Sequence, residues 1–173
     1  MADFTVRPIV EDDWAEYRDI RLEMLRDTPM AYGETLDTAL ALDEAGWRKR
    51  ATAGSRATGI STSESIRFAA ITTDGRWIGS MGGYLDAIFG PVLVGVYVAP
   101  RFRGDEHGVT SALIEAVEEW AREFSTSIRL DVHESNLRAR ASYAKRGYVE
   151  TGHTIPYPLD PTHLEFEMVK RLG

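Results

Sequence analysis

Apolar residues recur at helical spacing in some stretches of this chain and at strand spacing in others. Phe4, Val6 and Ile9 begin it as a short strand. Trp14, Tyr17, Ile20 and Met24 then share one face of a helix. Asp12 and Asp13 start that helix, because acids favour the positive first turn, and Thr28-Pro29 ends it. A second helix is expected over Asp43 to Ala53, with Trp47 inward and Arg48, Lys49 and Arg50 outward. Gly54 to Ser65 is dense in Gly, Ser and Thr and reads as a mobile loop. Two strands follow, Ile66–Thr73 and Trp77–Leu85, and the Asp74-Gly75 between them predicts a type I′ hairpin turn. Val92–Val98 is continuously apolar, as a strand buried on both faces would be.

Arg101 to Gly108 is a polar loop with two glycines. After it, Val109, Leu113, Ala116, Trp120 and Phe124 line one face of a long helix. Ile128–His133 is a strand, Asn136–Arg146 a helix, and Gly147 a left-handed helix stop. Tyr148–Thr151 and Leu164–Val169 close the chain as strands, the last alternating Leu164, Phe166 and Met168 with Glu165 and Glu167. The order β-α-α-β-β-β-α-β-α-β-β predicts a mixed α/β sheet with helices packed against it.

No repeat or long linker divides the 173 residues, so a single domain over 1–173 is expected. Twenty basic and 27 acidic residues leave a net charge of −7, which argues against a nucleic-acid surface. It does not exclude an anionic ligand, which needs local donors only. The absence of cysteine removes disulfides, thiolate metal sites and cysteine nucleophiles. The acid-interrupted start is no signal peptide, and the longest apolar stretch, Pro91 to Pro100, is half a membrane span. A soluble, cytoplasmic protein without a membrane partner is expected. The four histidines, at 107, 133, 153 and 163, show no metal-binding spacing, and no serine lies in a nucleophile elbow.

The informative stretch is VGVYVAPRFRGDEHGVTSALIEAV, Val94 to Val117. A strand runs through a loop containing arginine and glycine into a helix whose first N–H groups lack intrahelical acceptors, which is an anion cradle in outline. The segment resembles the donor-binding motif of the GNAT-type N-acetyltransferase superfamily, R/Q-x-x-G-x-G/A, with Val98-Ala99-Pro100 as the strand end, Arg103 in the R/Q position and Gly108 as the final glycine. Asn136, Ala139, Tyr143 and Gly147-Tyr148 resemble the family's next block, and VRPIVEDDWAEYRDIRLEML its opening. The resemblance implies the GNAT fold, a mostly antiparallel central sheet flanked by helices. It also implies acetyl transfer from acetyl-CoA to a primary amine, of a small molecule or a protein, by direct attack in a ternary complex. By the same resemblance, the N–H groups from Arg103 through Gly104, His107 and Gly108 to Val109 and Thr110 would hold the pyrophosphate. The backbone of Tyr97 and Val98 would pair with pantetheine, Tyr143 would protonate the leaving thiolate, and Asn136 would hold the donor or fix its own turn.

The chain departs from the motif at its middle glycine. Glu106 stands there, preceded by Asp105, so two carboxylates occupy the loop where a diphosphate is expected. Either they weaken donor binding, or they fill the anion site and leave a degenerate fold that acts as a binding or regulatory module. A general base is open among His133, Glu34, Asp131 and Glu134. The cluster Arg138, Arg140, Lys145 and Arg146 reads either as a phosphate contact or as a solvated helix face. The closing strand offers an edge for a second copy, which would make a homodimer.

Overall fold

The computed structural model describes residues 3–53 and 65–173. The loop expected from Gly54 to Ser65 therefore lies outside the described residues, except for Ser65. The described residues form seven strands, β1 (Phe4–Pro8), β2 (Ser65–Thr72), β3 (Trp77–Asp86), β4 (Gly90–Val98), β5 (Ser127–His133), β6 (Val149–Tyr157) and β7 (Asp160–Arg171), and five helices. The helices are α1 (Trp14–Asp27), α2 (Leu36–Leu40), α3 (Glu44–Ala53), α4 (Val109–Arg122) and α5 (Leu137–Lys145). The mixed α/β class and the element order are as expected, apart from the added five-residue α2, which is too short for periodicity to reveal.

All seven strands form one sheet in the order β1-β2-β3-β4-β5-β7-β6. Every neighbouring pair is antiparallel except β4 and β5, which meet in parallel at one position, Val92 opposite Arg129. β7 is thus an interior strand, not the exposed edge expected; its two sides bond to β5 and β6, and β6 is the edge. The hairpin also differs from expectation. Asp74 keeps a negative φ and only Gly75 is left-handed (φ 85°), with Gly75 N–H donating to the Thr72 carbonyl and Thr72 N–H to that of Arg76. This is a three-residue loop, in which glycine supplies the one left-handed position.

Each sheet face carries its own core. α4 and α5 cover one face, burying Leu113, Val117 and Trp120 against Ile78, Met81, Ile128 and Leu130. α1 to α3 cover the other beside β2 and β4, with Tyr17, Met24, Leu25 and Trp47 against Ala69, Tyr97 and Ala99. Phe124, expected on the inner face of α4, lies beyond the helix end and is partly exposed, whereas Ile114, Val117 and Ala121 complete the buried stripe. Trp120 fits because β3 offers Gly83, where a Cβ would stand 2.6 Å from the indole.

One charge sits inside this packing. Glu118 on α4 is 4% exposed, and both its oxygens accept from Lys170 Nζ on β7 at 2.8 Å while Tyr148 Oη donates to one at 3.0 Å. No helix of the described residues is long and apolar enough to cross a membrane. Lys170→Met strands a buried carboxylate and should cost about 3 kcal/mol or more in urea unfolding. The double variant Lys170→Met/Glu118→Leu should recover most of that loss.

Candidate active site

β4 and β5 part immediately after their single parallel pair. Opposite β3, the step from Val94 to Tyr97 spans three residues while β3 advances two, from Gly82 to Ser80, so β4 carries a bulge. Gly95 takes it up with φ 62°, a conformation that L side chains rarely adopt. Beyond the bulge, Ala99 N–H donates to Ile78 on β3. By alternation Tyr97 also faces β3, while the backbone groups of Val96 and Val98 face the gap toward β5. Their carbonyls are occupied there: Tyr32 Oη donates to Val96 O at 2.9 Å and Arg103 Nε to Val98 O at 2.7 Å.

This gap is a cavity of about 610 Å³. Val96, Tyr97 and Val98 form one side, Gly104, Asp105, Glu106 and Thr110 a second, and Asn136, Arg138, Ala139, Ser142, Tyr143 and Arg146 a third. Two local motifs hold the α5 wall. Asn136 Oδ1 accepts from Ala139 N–H at 3.1 Å and caps the helix start. At its end, Tyr148 N–H bonds to Tyr143 O and Gly147 N–H to Ala144 O, with Gly147 left-handed, which is a Schellman closure. The closure sets Tyr143 against Tyr148, ring centroids 5.7 Å apart. Tyr143 is 7% exposed, and burial raises its hydroxyl above the usual phenol range, so it stays protonated.

The loop from Arg103 to Gly108 folds as a turn of 3-10 helix over Asp105–His107. His107 N–H and Gly108 N–H are used within it, on the carbonyls of Gly104 and Asp105. Gly104, Asp105 and Glu106 N–H make no hydrogen bond with a described residue, and no side chain caps the start of α4. The two acids differ in their surroundings. Asp105 pairs with Arg146 at 3.0 Å and Lys145 at 3.7 Å. Glu106 curls back so that its carboxylate covers Gly104, and among the described residues His107, at 3.7 Å, is its one ion-pair neighbour.

A second cavity, of about 470 Å³, is lined by Tyr17, Arg21, Gly33, Glu34, Thr35, Thr38, Arg50, Arg67 and Leu159. Glu34 is clamped there: Arg21 donates to Oε2 from Nε at 3.0 Å and Nη2 at 2.8 Å, and Arg50 Nη2 lies 2.7 Å from Oε1. Burial opposes ionisation of Glu34, but hydrogen bonds from Arg50 and Arg21 outweigh it and hold the carboxyl below its usual range.

A model of the acetyltransferase (GNAT) family matches residues 17–148. The chain belongs to the GNAT acetyltransferase family. Solved structures agree in fold over nearly the full length. A GNAT acetyltransferase from Streptococcus pneumoniae superposes with a TM-score of 0.78 at 19% identity, covering 99% of this chain and 100% of that one. A spermidine N-acetyltransferase from Vibrio cholerae, in complex with CoA and spermine, gives 0.72 at 16%, covering 97% and 95%. A related N-acetyltransferase from Kribbella flavida gives 0.70 at 22%, covering 98% of each. No curated protein matches the chain.

Within this GNAT fold, the residues singled out in the sequence fall into three groups. Tyr97, Val98, Arg103, Gly104, Thr110, Asn136 and Tyr143 line the β4–β5 cavity. His107, Gly108 and Val109 do not; His107 packs edge-on to Phe102 and Val109 is buried in the core. Glu34 belongs to the second cavity, and His133 lines neither. His133 is 5% exposed, packs on Tyr157, and accepts from Ser135 N–H through Nδ1 at 3.2 Å. Arg103 is a strut: besides the Val98 carbonyl it bonds to Asp27 at the end of α1 and lies over the Tyr97 ring. Of the basic cluster, Arg138, Lys145 and Arg146 line the cavity, whereas Arg140 turns away to Glu150 and Phe166. Among the described residues no group of three potential ligands could hold a metal.

Sequence reasoning missed Tyr32, Arg21 and Arg67. Arg67 alone carried a signal, an arginine between Ile66 and Phe68 in a strand with one helix-covered face on each side. Glu106 is exposed and largely unpaired, so its repulsion of a diphosphate acts through water. At ~6 Å that corresponds to about threefold in affinity. Glu106→Gln should therefore tighten acetyl-CoA binding about threefold in calorimetry, while Asp105→Asn, which frees Arg146 and Lys145 but disturbs the loop, should change it less.

Proposed function

We propose that this protein is an N-acetyltransferase that binds acetyl-CoA in the β4–β5 cavity and passes the acetyl group to an amine. The observation that carries this reading is the juxtaposition, in one cavity, of an open strand edge, an uncapped helix start and a protonated tyrosine. Each suits one part of the donor. The Val96 and Val98 N–H groups face the gap and can pair with an extended amide chain as an added strand would. The first N–H groups of α4, with those of Gly104 to Glu106, can take a diphosphate. Arg138 lines the same cavity, and Arg146 Nε is buried without a hydrogen bond to a described residue, so cationic donors are at hand.

Acetyl-CoA, when bound, supplies a thioester carbonyl open to attack by an amine. The release of a thiolate calls for a proton, and the Tyr143 hydroxyl, kept protonated by burial, is the donor we assign. The amine must lose a proton. Glu34 is a weak acceptor because two guanidiniums lower its carboxylate's affinity for a proton, and His133 does not line the cavity. Asp131, like His133, does not line the cavity, but its raised affinity for a proton suits a base. It lies on β5 two residues past the Val92–Arg129 pair, where the strands part. Burial raises its carboxyl above the usual range, Arg129 opposing and Glu167 adding to the rise.

A second reading rests on Glu106. Its carboxylate covers Gly104, so the loop's anion site could be filled from within and the fold serve as a binding module. Thermal melting separates the two. Acetyl-CoA at 100 times its dissociation constant stabilises by about 2.7 kcal/mol, several degrees for a chain of this size. The enzyme reading requires that shift; its absence at millimolar acetyl-CoA favours the binding module. Tyr143→Phe should keep the melting shift and lower kcat about a hundredfold. An unchanged kcat would remove Tyr143 from the proton-donating role.

A further inference from the structure

The cavity beside the β4 bulge carries an excess of positive charge. Three guanidiniums, Arg21, Arg50 and Arg67, line it, and Glu34 is the one carboxylate among its described lining residues. Glu34 takes up Nε and Nη2 of Arg21 and one Nη of Arg50. Arg21 Nη1 has only a sulfur neighbour, Met24 Sδ at 3.7 Å, and no carboxylate among the described residues pairs with Arg67. These two free ends converge. A Cβ built on Gly95 would stand 3.9 Å from Arg21 Nη1 and 4.0 Å from Arg67 Nη1. The bulge thus opens a spot, clear of any side chain of its own, between two guanidinium nitrogens. The aromatic rings of Tyr32 and Tyr17 lie 5.4 Å from the guanidinium carbons of Arg21 and Arg67, respectively.

The spot adjoins the proposed transfer site. Tyr32, beside the Arg21 guanidinium, also lines the β4–β5 cavity and bonds to Val96, the residue after Gly95. The cationic spot at Gly95 therefore lies one residue along β4 from the edge of the gap where an acetyl group would be handed over. Asp131 lies on β5 two residues past the Val92–Arg129 pair, beyond the point where the strands part, with Arg129 Nη2 at 3.7 Å.

We infer that the amine acceptor also carries a carboxylate, which the guanidiniums of Arg21 and Arg67 hold while the amine faces the β4–β5 gap. Guanidinium forks match a planar carboxylate and are weakly hydrated, so they suit this partly enclosed spot. Glu34 beside them disfavours a dianion such as a phosphate ester more than a singly charged carboxylate. A polyamine without an anionic group would meet the excess of positive charge and be repelled. The inference rests on the acetyltransferase reading and deepens it.

The test compares amines that differ in the anionic group alone. α-Amino acids and ω-amino acids are assayed with acetyl-CoA against their carboxamides, with spermine and O-phosphoethanolamine as further arms. The expected result is a kcat/KM at least tenfold higher for an aminocarboxylate than for its carboxamide. Arg67→Gln should raise KM for that aminocarboxylate tenfold or more, with kcat changed less than threefold, and so narrow its advantage over the carboxamide at least severalfold, with Arg67→Lys between. Faster turnover of carboxamides, spermine or O-phosphoethanolamine overturns the inference. Aminocarboxylate binding is also read directly, by melting shift without donor, in wild type and Arg67→Gln. A shift in wild type that Arg67→Gln loses supports the anionic site even when acetyl-CoA itself fails to bind, which would count against the acetyltransferase reading alone. Absence of both turnover and shift overturns the site.

Discussion

The separation of β4 from β5 is the constraint on which the rest of the molecule depends. A sheet whose two halves met along the full strand would leave no room between them and no unpaired backbone. Here a single parallel pair, Val92 with Arg129, joins the halves, and the bulge at Gly95 turns β4 away. The cost is a row of strand groups without a strand partner. Tyr32 and Arg103 satisfy two carbonyls of that row, and both are themselves tied down, Tyr32 through Tyr157 and Arg103 through Asp27. The gap is thus held open by side chains from α1, from the segment after it and from β6.

The same bulge organises the charges. It leaves an empty spot where Arg21 and Arg67 meet, and its neighbours on β4 border the gap. A protein with a net charge of −7 thereby keeps a cationic pocket, because two of its arginines are held on the inner side of α1 and β2 rather than paired at the surface. The acids of the loop before α4 are distributed in the opposite sense. Asp105 is matched by Arg146 and Lys145, while Glu106 remains exposed over Gly104. Local pairing, not the overall balance, sets what each region can attract.

Much of the fold was legible because its signals are local. The stripe in α4 and the left-handed stop at Gly147 each need only neighbouring residues. Elements were misread where the signal was short or shared. Asp74-Gly75 fits two hairpin geometries, and α2 is too brief to show a period. The place of β7 inside the sheet depends on which strands it meets, and no alternation of Leu164, Phe166 and Met168 states that.

The site divides along the same line. Residue order outlined the strand-loop-helix segment from Val94 to Val117 and its two carboxylates, because these lie in one contiguous stretch, whereas Tyr143 and Asn136 were marked by the resemblance to the GNAT family. Partners came from folding. That Arg103 braces the strand, that Glu34 is clamped by Arg21 and Arg50, that His133 is sealed against Tyr157, and that Arg67 meets Arg21 at Gly95 are all contacts between residues distant in the chain. A charge acquires its chemical role from what stands within a few ångströms of it, and linear order does not record that distance.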